Sequence, residues 1–225
     1  MSDIFREVDE EVRQEQIVTF LKRYGKYLAA VIVLAIAIVA GYRYFEDRQR
    51  ADNAAQGDAF DAAVELVDEG KTAEAMPKLQ ELAKDGDDSF GLLARFRVAE
   101  LQAQTDVKAA QATYDAIAAD SGVARVYRDL AGYYAASLLL EGGGGAELDQ
   151  RIKAMSGDDN VWKLSVDELR GLNQYKTGQR DAAKKTFREL LDEAPADSGF
   201  RLRAQQMLMV LGVPAAELKI DNKTK

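Results

Sequence analysis

Apolar residues are arranged in two ways along this chain. From Tyr27 to Phe45 they are almost continuous, with one charge, Arg43, and none between Leu28 and Gly41. Elsewhere they recur every three or four residues, the period that gathers them on one face of an α-helix. Before the run, "SDIFREVDEEVRQEQIVTFLKRYG" sets Ile4, Phe5, Val8 and Val12, then Ile17, Phe20, Leu21 and Tyr24, at helical spacing, with Ser2 or Asp3 as N-cap. Residues 1–26 therefore read as an amphipathic helix. After the run, glycine-containing breaks at "DEGKT", "KDGDDS", "ADSG", "EGGGG", "SGDDN", "KTGQR" and "APADSG" cut the sequence into short helical segments. No strand pattern competes, so the class is all-α, and short helices joined by tight turns predict antiparallel hairpins.

The apolar run raises three readings: a removable export signal, a buried core helix or a permanent anchor. Nineteen residues at helical rise cover roughly 28 Å, close to the ~30 Å hydrocarbon thickness of a bilayer. Tyr24 and Tyr27 on one side, and Tyr42, Tyr44 and Phe45 on the other, form the aromatic belts expected at the two interfaces, and Lys22, Arg23 and Lys26 are placed to reach headgroups. An export signal calls for a short basic start and a small-residue cleavage site, whereas this run follows an acidic segment and enters "GYRYFEDRQR". A buried soluble helix fits poorly, because both flanks are charged and the run is apolar on all faces. The reading is an uncleaved single-pass transmembrane helix over 27–45. Arg13, Lys22, Arg23 and Lys26 precede it and Arg43, Arg48 and Arg50 follow, so the positive-inside rule favours a cytoplasmic N-terminus by one charge. Residues 46–225 then lie across the membrane, in the periplasm of a Gram-negative cell. The helix over 1–26 either lies on the bilayer surface or docks on a membrane partner.

Composition narrows the chemistry. Cysteine and histidine are both absent, which removes thiolate nucleophiles, imidazole acid–base work and zinc sites built on either ligand. Residues 1–45 balance six acids against six bases, so the net charge of −8 belongs to residues 46–225 and argues against nucleic acid as a partner. No metal, no cofactor and no catalytic residue is expected, and the chain reads as a non-enzyme. An enzyme built on carboxylates, Lys, Ser or Tyr stays open, without a constellation to support it.

The clearest internal unit is "LSVDELRGLNQYKTGQRDAAKKTFRELLDEAP", Leu164 to Pro195. Gly171, Gly178, Ala183, Phe187 and Pro195 match the small, turn, small, aromatic and helix-stopping positions of a 34-residue tetratricopeptide repeat. On that template Gly171 and Ala183 let two helices approach, Phe187 plugs the gap between repeats, and Pro195 stops the second helix. Gly70, Ala75 and Leu79 fit the same template, as do Ala110 and Tyr114 more loosely. The alanines at 75, 110 and 183 lie 35 and then 73 residues apart, so a degenerate unit belongs between the last two, in "ARVYRDLAGYYAASLLLEGGGGAELDQRIKAM". This gives a tetratricopeptide-like α-solenoid of about four hairpins over 46–217, a closing helix in "SGFRLRAQQMLMVLG" and a polar tail over 218–225. Pro77 implies that its helix begins near Met76 or bends there. "EGGGG" lacks the Lys and Ser/Thr of a phosphate loop and reads as a flexible turn. Asn222 opens a formal glycosylation sequon, "NKT".

Solenoids of this kind bind other chains in a concave groove. Tyr114, Tyr127, Tyr133, Tyr134 and Trp162 either line such a groove or pack the core. Arg95, Arg97, Arg125 and Arg128 either grip carboxylates or sit on solvated faces.

The segment "EEVRQEQIVTFLKRYGKYL", an anchor ending in "GYRYFEDRQ" and the degenerate hairpins together resemble the YfgM-like family of bacterial inner-membrane proteins, ancillary subunits of the SecYEG translocon. The resemblance implies a cell inner membrane protein with its repeat domain in the periplasm. Its implied partners are protein-export channel subunits, a periplasmic chaperone of prolyl-isomerase-like type, and translocated polypeptides. No individual functional residue carries over. A scaffold or adaptor for another envelope assembly machine has the same layout and remains the alternative.

Overall fold

The computed structural model describes residues 3–84, 89–157 and 159–218; within these, the side chains of residues 3–21, 28, 29, 32 and 89 are not described. Expectations resting on Ser2, on the apolar face of residues 4–21, on the side chain of Leu28 and on residues 219–225, including Asn222, lie outside the described residues. Nearly everything described is helical, and no strand occurs among the described residues. The helices are α1 (Asp3–Asp68), α2 (Thr72–Leu82), α3 (Ser89–Ala103), α4 (Val107–Ala119), α5 (Arg125–Glu141), α6 (Ala146–Met155), α7 (Lys163–Lys176), α8 (Arg180–Glu193) and α9 (Gly199–Val210), with a 3-10 turn at Ala215–Glu217.

The chain divides into two compact units, Met1–Asp58 and Ala59–Lys225. In the first, Val31, Val33, Leu34, Ile36, Ile38 and Val39 are each 60–64 % exposed, on all sides of one helix. Among the described residues no helix is long and apolar enough to cross a membrane. The span expected over 27–45 runs through positions 28, 29 and 32, whose side chains are not described.

In the second unit each helix from α2 to α9 packs on its sequence neighbour, the end of α1 joins α2 and α3 through an apolar cluster, α5 also meets α7, and α7 meets α9. The last turns of α1 pair with α2, α3 with α4, α5 with α6 and α7 with α8, giving four hairpins closed by α9. Four apolar clusters follow the same rule. Ala63, Leu79 and Val98 join α1, α2 and α3; Ala99, Tyr114 and Ala131 join α3, α4 and α5; Ala136, Leu148 and Val166 join α5, α6 and α7; Phe187, Ala204 and Leu208 join α8 to α9. Every second helix is thus held between two first helices, and burial propagates from neighbour to neighbour, as in a solenoid. Leu218, assigned to the polar tail by sequence, is buried in the last cluster.

The repeat template lands in register. Ala75, Ala110 and Ala183 are fully buried, and one turn later Leu79, Tyr114 and Phe187 are buried as well. In the degenerate unit Leu148 and Ile152 hold the equivalent places on α6, bulkier at the first position than the alanines elsewhere. Phe187 departs from its expected role in one respect. Its ring packs onto Gly171 within its own hairpin, where a Cβ would come within 2.7 Å of Cζ, as well as facing α9. The missing side chain at Gly171 is the space the ring fills.

Two other expectations are corrected. Of the two readings of Pro77, the start near Met76 is overturned: the helix begins at Thr72, so the proline sits inside it and the Ala73 carbonyl lacks its i+4 donor. The glycine run 142–145 is pinned rather than flexible. Gly144 donates to the Leu139 carbonyl at 2.9 Å, the six-residue closure of a Schellman turn, with positive φ at Gly143, Gly144 and Gly145. Fully buried Asn173 on α7 then grips the turn: its Oδ1 accepts from Gly145 N–H at 2.8 Å, and its Nδ2 donates to the Gly145 carbonyl at 3.2 Å and Asp149 Oδ1 at 2.6 Å. The same closure ends the first helix of the first and last hairpins, at Gly70 and Gly178. In the second hairpin Asp106 caps α4 instead, accepting from Lys108 and Ala109 N–H.

Candidate binding groove

The first helices of three successive hairpins open a groove of about 590 Å³. Phe60 contributes from α1, Leu93, Phe96 and Ala103 from α3, Tyr127, Leu130 and Tyr134 from α5, and Tyr114 reaches it from α4. An apolar recess bounded by Leu92, Leu93, Phe96 and Tyr127 adjoins it. Size and lining fall in the range of sites that bury a ligand or a few side chains of a partner.

Helical spacing explains the convergence. Tyr127, Leu130 and Tyr134 fall at i, i+3 and i+7 on one stripe of α5, and Phe96 and Ala103 do the same on α3. Tyr114 stacks on Tyr134 with centroids 5.3 Å apart, and Phe96 stands at 6.0 and 6.2 Å from the two rings. The aromatic trio is therefore floor and wall at once: Tyr114 is buried, whereas Tyr134 and Tyr127 remain 40 % and 46 % exposed. One edge is polar, where Arg97 donates to Glu100 at 2.7 Å, both side chains being largely in solvent. Burial, reinforced by the negative charge of Glu100 and by Tyr134, pushes the Tyr114 phenol up to about 12.

Of the five aromatics singled out by sequence, Tyr114, Tyr127 and Tyr134 meet in the groove. Tyr133 lies beside Tyr134, with ring centroids 5.8 Å apart, but packs against the α5–α6–α7 cluster, and burial raises its phenol. Trp162 stitches a turn, its Nε1 donating to the Val126 carbonyl at 2.9 Å. Phe60, Leu93, Phe96 and Leu130 were not singled out. Their 3–4 spacing marks core positions equally well, and only the gap between neighbouring first helices turns them into a lining.

The arginines are mostly structural. Arg95 binds Asp120 at 2.7 Å, holding that carboxyl below its usual range, and Arg125 does the same to Asp159 at 2.6 Å. Arg128 Nε is buried, with no hydrogen-bond partner among the described residues. Among these four, Arg97 alone lines the groove. Two bidentate pairs tie helices across the stack, Arg151 to Asp115 at 2.6 and 2.9 Å, and Arg203 to Glu168. Among the described residues no cluster of acidic side chains is arranged to hold a metal ion.

Of the repeat-defining residues, Gly70, Ala75, Leu79 and Ala110 belong to the hairpins behind the groove, Gly171, Gly178, Ala183, Phe187 and Pro195 belong to the fourth hairpin away from it, and Tyr114 alone reaches it. Of the anchor residues, Tyr27, Tyr42, Tyr44 and Phe45 are exposed and Gly41 half-buried in the first unit. No curated protein and no solved structure matches this chain. The model of a tetratricopeptide repeat-like domain matches residues 19–210. Four stacked hairpins, three of them with a buried alanine at the same place on the second helix, agree with that match over most of the sequence, and the chain belongs to the tetratricopeptide repeat-like domain family.

Proposed function

We propose that this protein is a membrane-anchored interaction module of the bacterial inner membrane, ancillary to the SecYEG translocon. In this reading it receives apolar segments of newly translocated polypeptides and assists their handover to a periplasmic chaperone. The observation that carries the interaction role is the aromatic groove, an apolar cleft with a polar edge offered by three neighbouring hairpins. Family membership supports protein–protein interaction. The translocon rests on the resemblance of the N-terminal segment, anchor and hairpins to the YfgM-like proteins.

Support for the anchor comes from residues 27–45, where nineteen residues carry a single charge and the described aliphatic side chains lie open to the surroundings. Exposed apolar area of that extent is costly in water and favourable in lipid. A tether confines the groove to one membrane surface and raises its effective concentration toward partners there, so weak contacts with transient clients suffice. The role needs no catalysis, and binding and release do the work.

Copurification from native membranes in mild detergent, read by mass spectrometry, tests the proposal. The wild-type chain is expected to recover export-channel subunits and a periplasmic chaperone. Replacing residues 1–45 with an unrelated anchor of the same orientation is expected to weaken recovery of the channel, and Tyr134→Ala to weaken recovery of clients. Recovery of a different envelope machine, with no export component, overturns the translocon reading.

A further inference from the structure

The groove sets partly exposed aromatic rings beside one ion pair, Arg97 with Glu100. Tyr127 and Tyr134 stay partly exposed, Tyr134 with one face stacked on Tyr114, and the quadrupole of an aromatic ring attracts cations. Among the described residues the cation–π contacts are Arg23 with Tyr24, Lys26 with Tyr27, Arg48 with Tyr44 and Arg203 with Phe200, so no groove ring has a cation from its own chain. The groove's own cation, Arg97, is matched by Glu100 in a solvent-exposed pair, which a competing cation exchanges at little cost. Glu100 also acts on the phenol of Tyr114, so its potential reaches the floor. The unit that holds the groove, residues 59–225, carries 28 acidic and 22 basic side chains, a net charge of −6.

We propose that the groove selects polypeptide segments in which a large apolar side chain stands next to a lysine or arginine. The apolar group fills the half-buried floor of Phe60, Phe96 and Leu130, and the cation lies against Tyr127, Tyr134 and Glu100. This rests on the groove being the binding site and adds the chemistry of its occupant. The polar edge favours a polypeptide over an acyl chain. Arg97, Glu100 and the two phenols supply both donors and acceptors, which a peptide backbone uses and a hydrocarbon does not. The acidic surroundings favour basic flanks and disfavour acidic ones.

The test uses the full-length chain in nanodiscs of neutral phosphatidylcholine, with empty discs as control. Fluorescence polarisation is read with three labelled peptides sharing one Leu/Phe centre and flanked by Lys, Ser or Glu. Affinity is expected to fall in that order, by about tenfold between the Lys and Glu peptides, with the difference shrinking in salt. Glu100→Gln and Tyr127→Leu, both changes in the groove lining, are expected to narrow the ratio of Lys-peptide to Glu-peptide affinity. Tyr134→Ala, with helicity checked by circular dichroism, is expected to weaken all three. Equal binding of the three peptides that Tyr134→Ala still weakens overturns the charge selection and leaves the groove as the site. Binding untouched by every groove variant, or no binding at all, overturns both.

Discussion

Phe187 and Gly171 show how much one contact holds together. The ring is fully buried, its far edge rests on the glycine backbone, and the cluster it belongs to reaches across to Ala204 and Leu208 of α9. Phe187→Ala is expected to cost about 3 to 5 kcal/mol in urea denaturation, because neither helix can collapse fully onto the cavity. Gly171→Ala drives a methyl into the same ring and is expected to cost about 1 to 3 kcal/mol. Trimming the ring relieves that clash, so the double variant Gly171→Ala/Phe187→Leu should be less destabilised than the sum of its parts. Tyr114 gives a pH signature. Its phenol is raised from 10.0 to about 12, so the neutral form is favoured in the folded state. The associated stability is fully present below pH 10 and is lost as pH climbs through about 12, on the order of 2 kcal/mol. Unfolding free energies of wild type and Tyr114→Phe measured from pH 8 to 11 should separate progressively above pH 10; parallel curves exclude this account. The residues of the repeat template were legible in sequence because Gly, Ala and an aromatic at fixed intervals record close helix crossings. Leu148, Ile152 and Asn173 were not, since leucine and isoleucine mark any buried face and a lone asparagine carries no sign of its burial.

At the level of elements, the turns decide where one helix stops and the next begins. Gly178 has φ +81° with open space where a Cβ would go, so Gly178→Ala meets backbone strain alone, about 1 to 2 kcal/mol. Gly144 has φ +72°, and a Cβ there runs into the Asn173 Oδ1. Gly144→Ala therefore adds the disruption of a buried hydrogen-bonded amide, for a total of about 3 to 4 kcal/mol by thermal or chemical denaturation. If the two variants are equally stable, Asn173 does not anchor the turn. Glycine-containing breaks between helices were readable in sequence, whereas the junction of α3 and α4 at residues 104–106, which holds no glycine, was not among them. Pro77 misled because the rule that proline starts a helix is strict only for an isolated helix. Here burial of Ala75 and Leu79 against α1 and α3 outweighs one absent backbone bond.

For the whole molecule, the proposed anchor has direct consequences. The mature protein is expected to keep its N-terminus, and mass spectrometry of protein from native membranes should find no new terminus near Asp47. A reporter fused after Lys225 is expected to be active in the periplasm; activity confined to the cytoplasm reverses the orientation. What the sequence by itself determined is the all-α class, the repeat period and the uninterrupted apolar run. Each depends on local periodicity and residue size, which the order of residues records directly. The groove was decided only by tertiary structure. Phe60, Phe96, Tyr114 and Tyr134 belong to four different helices, and their helical spacing is the same whether a face is buried or open. Their meeting depends on how far neighbouring first helices stand apart, a distance set by the side chains packed between them in the helices behind.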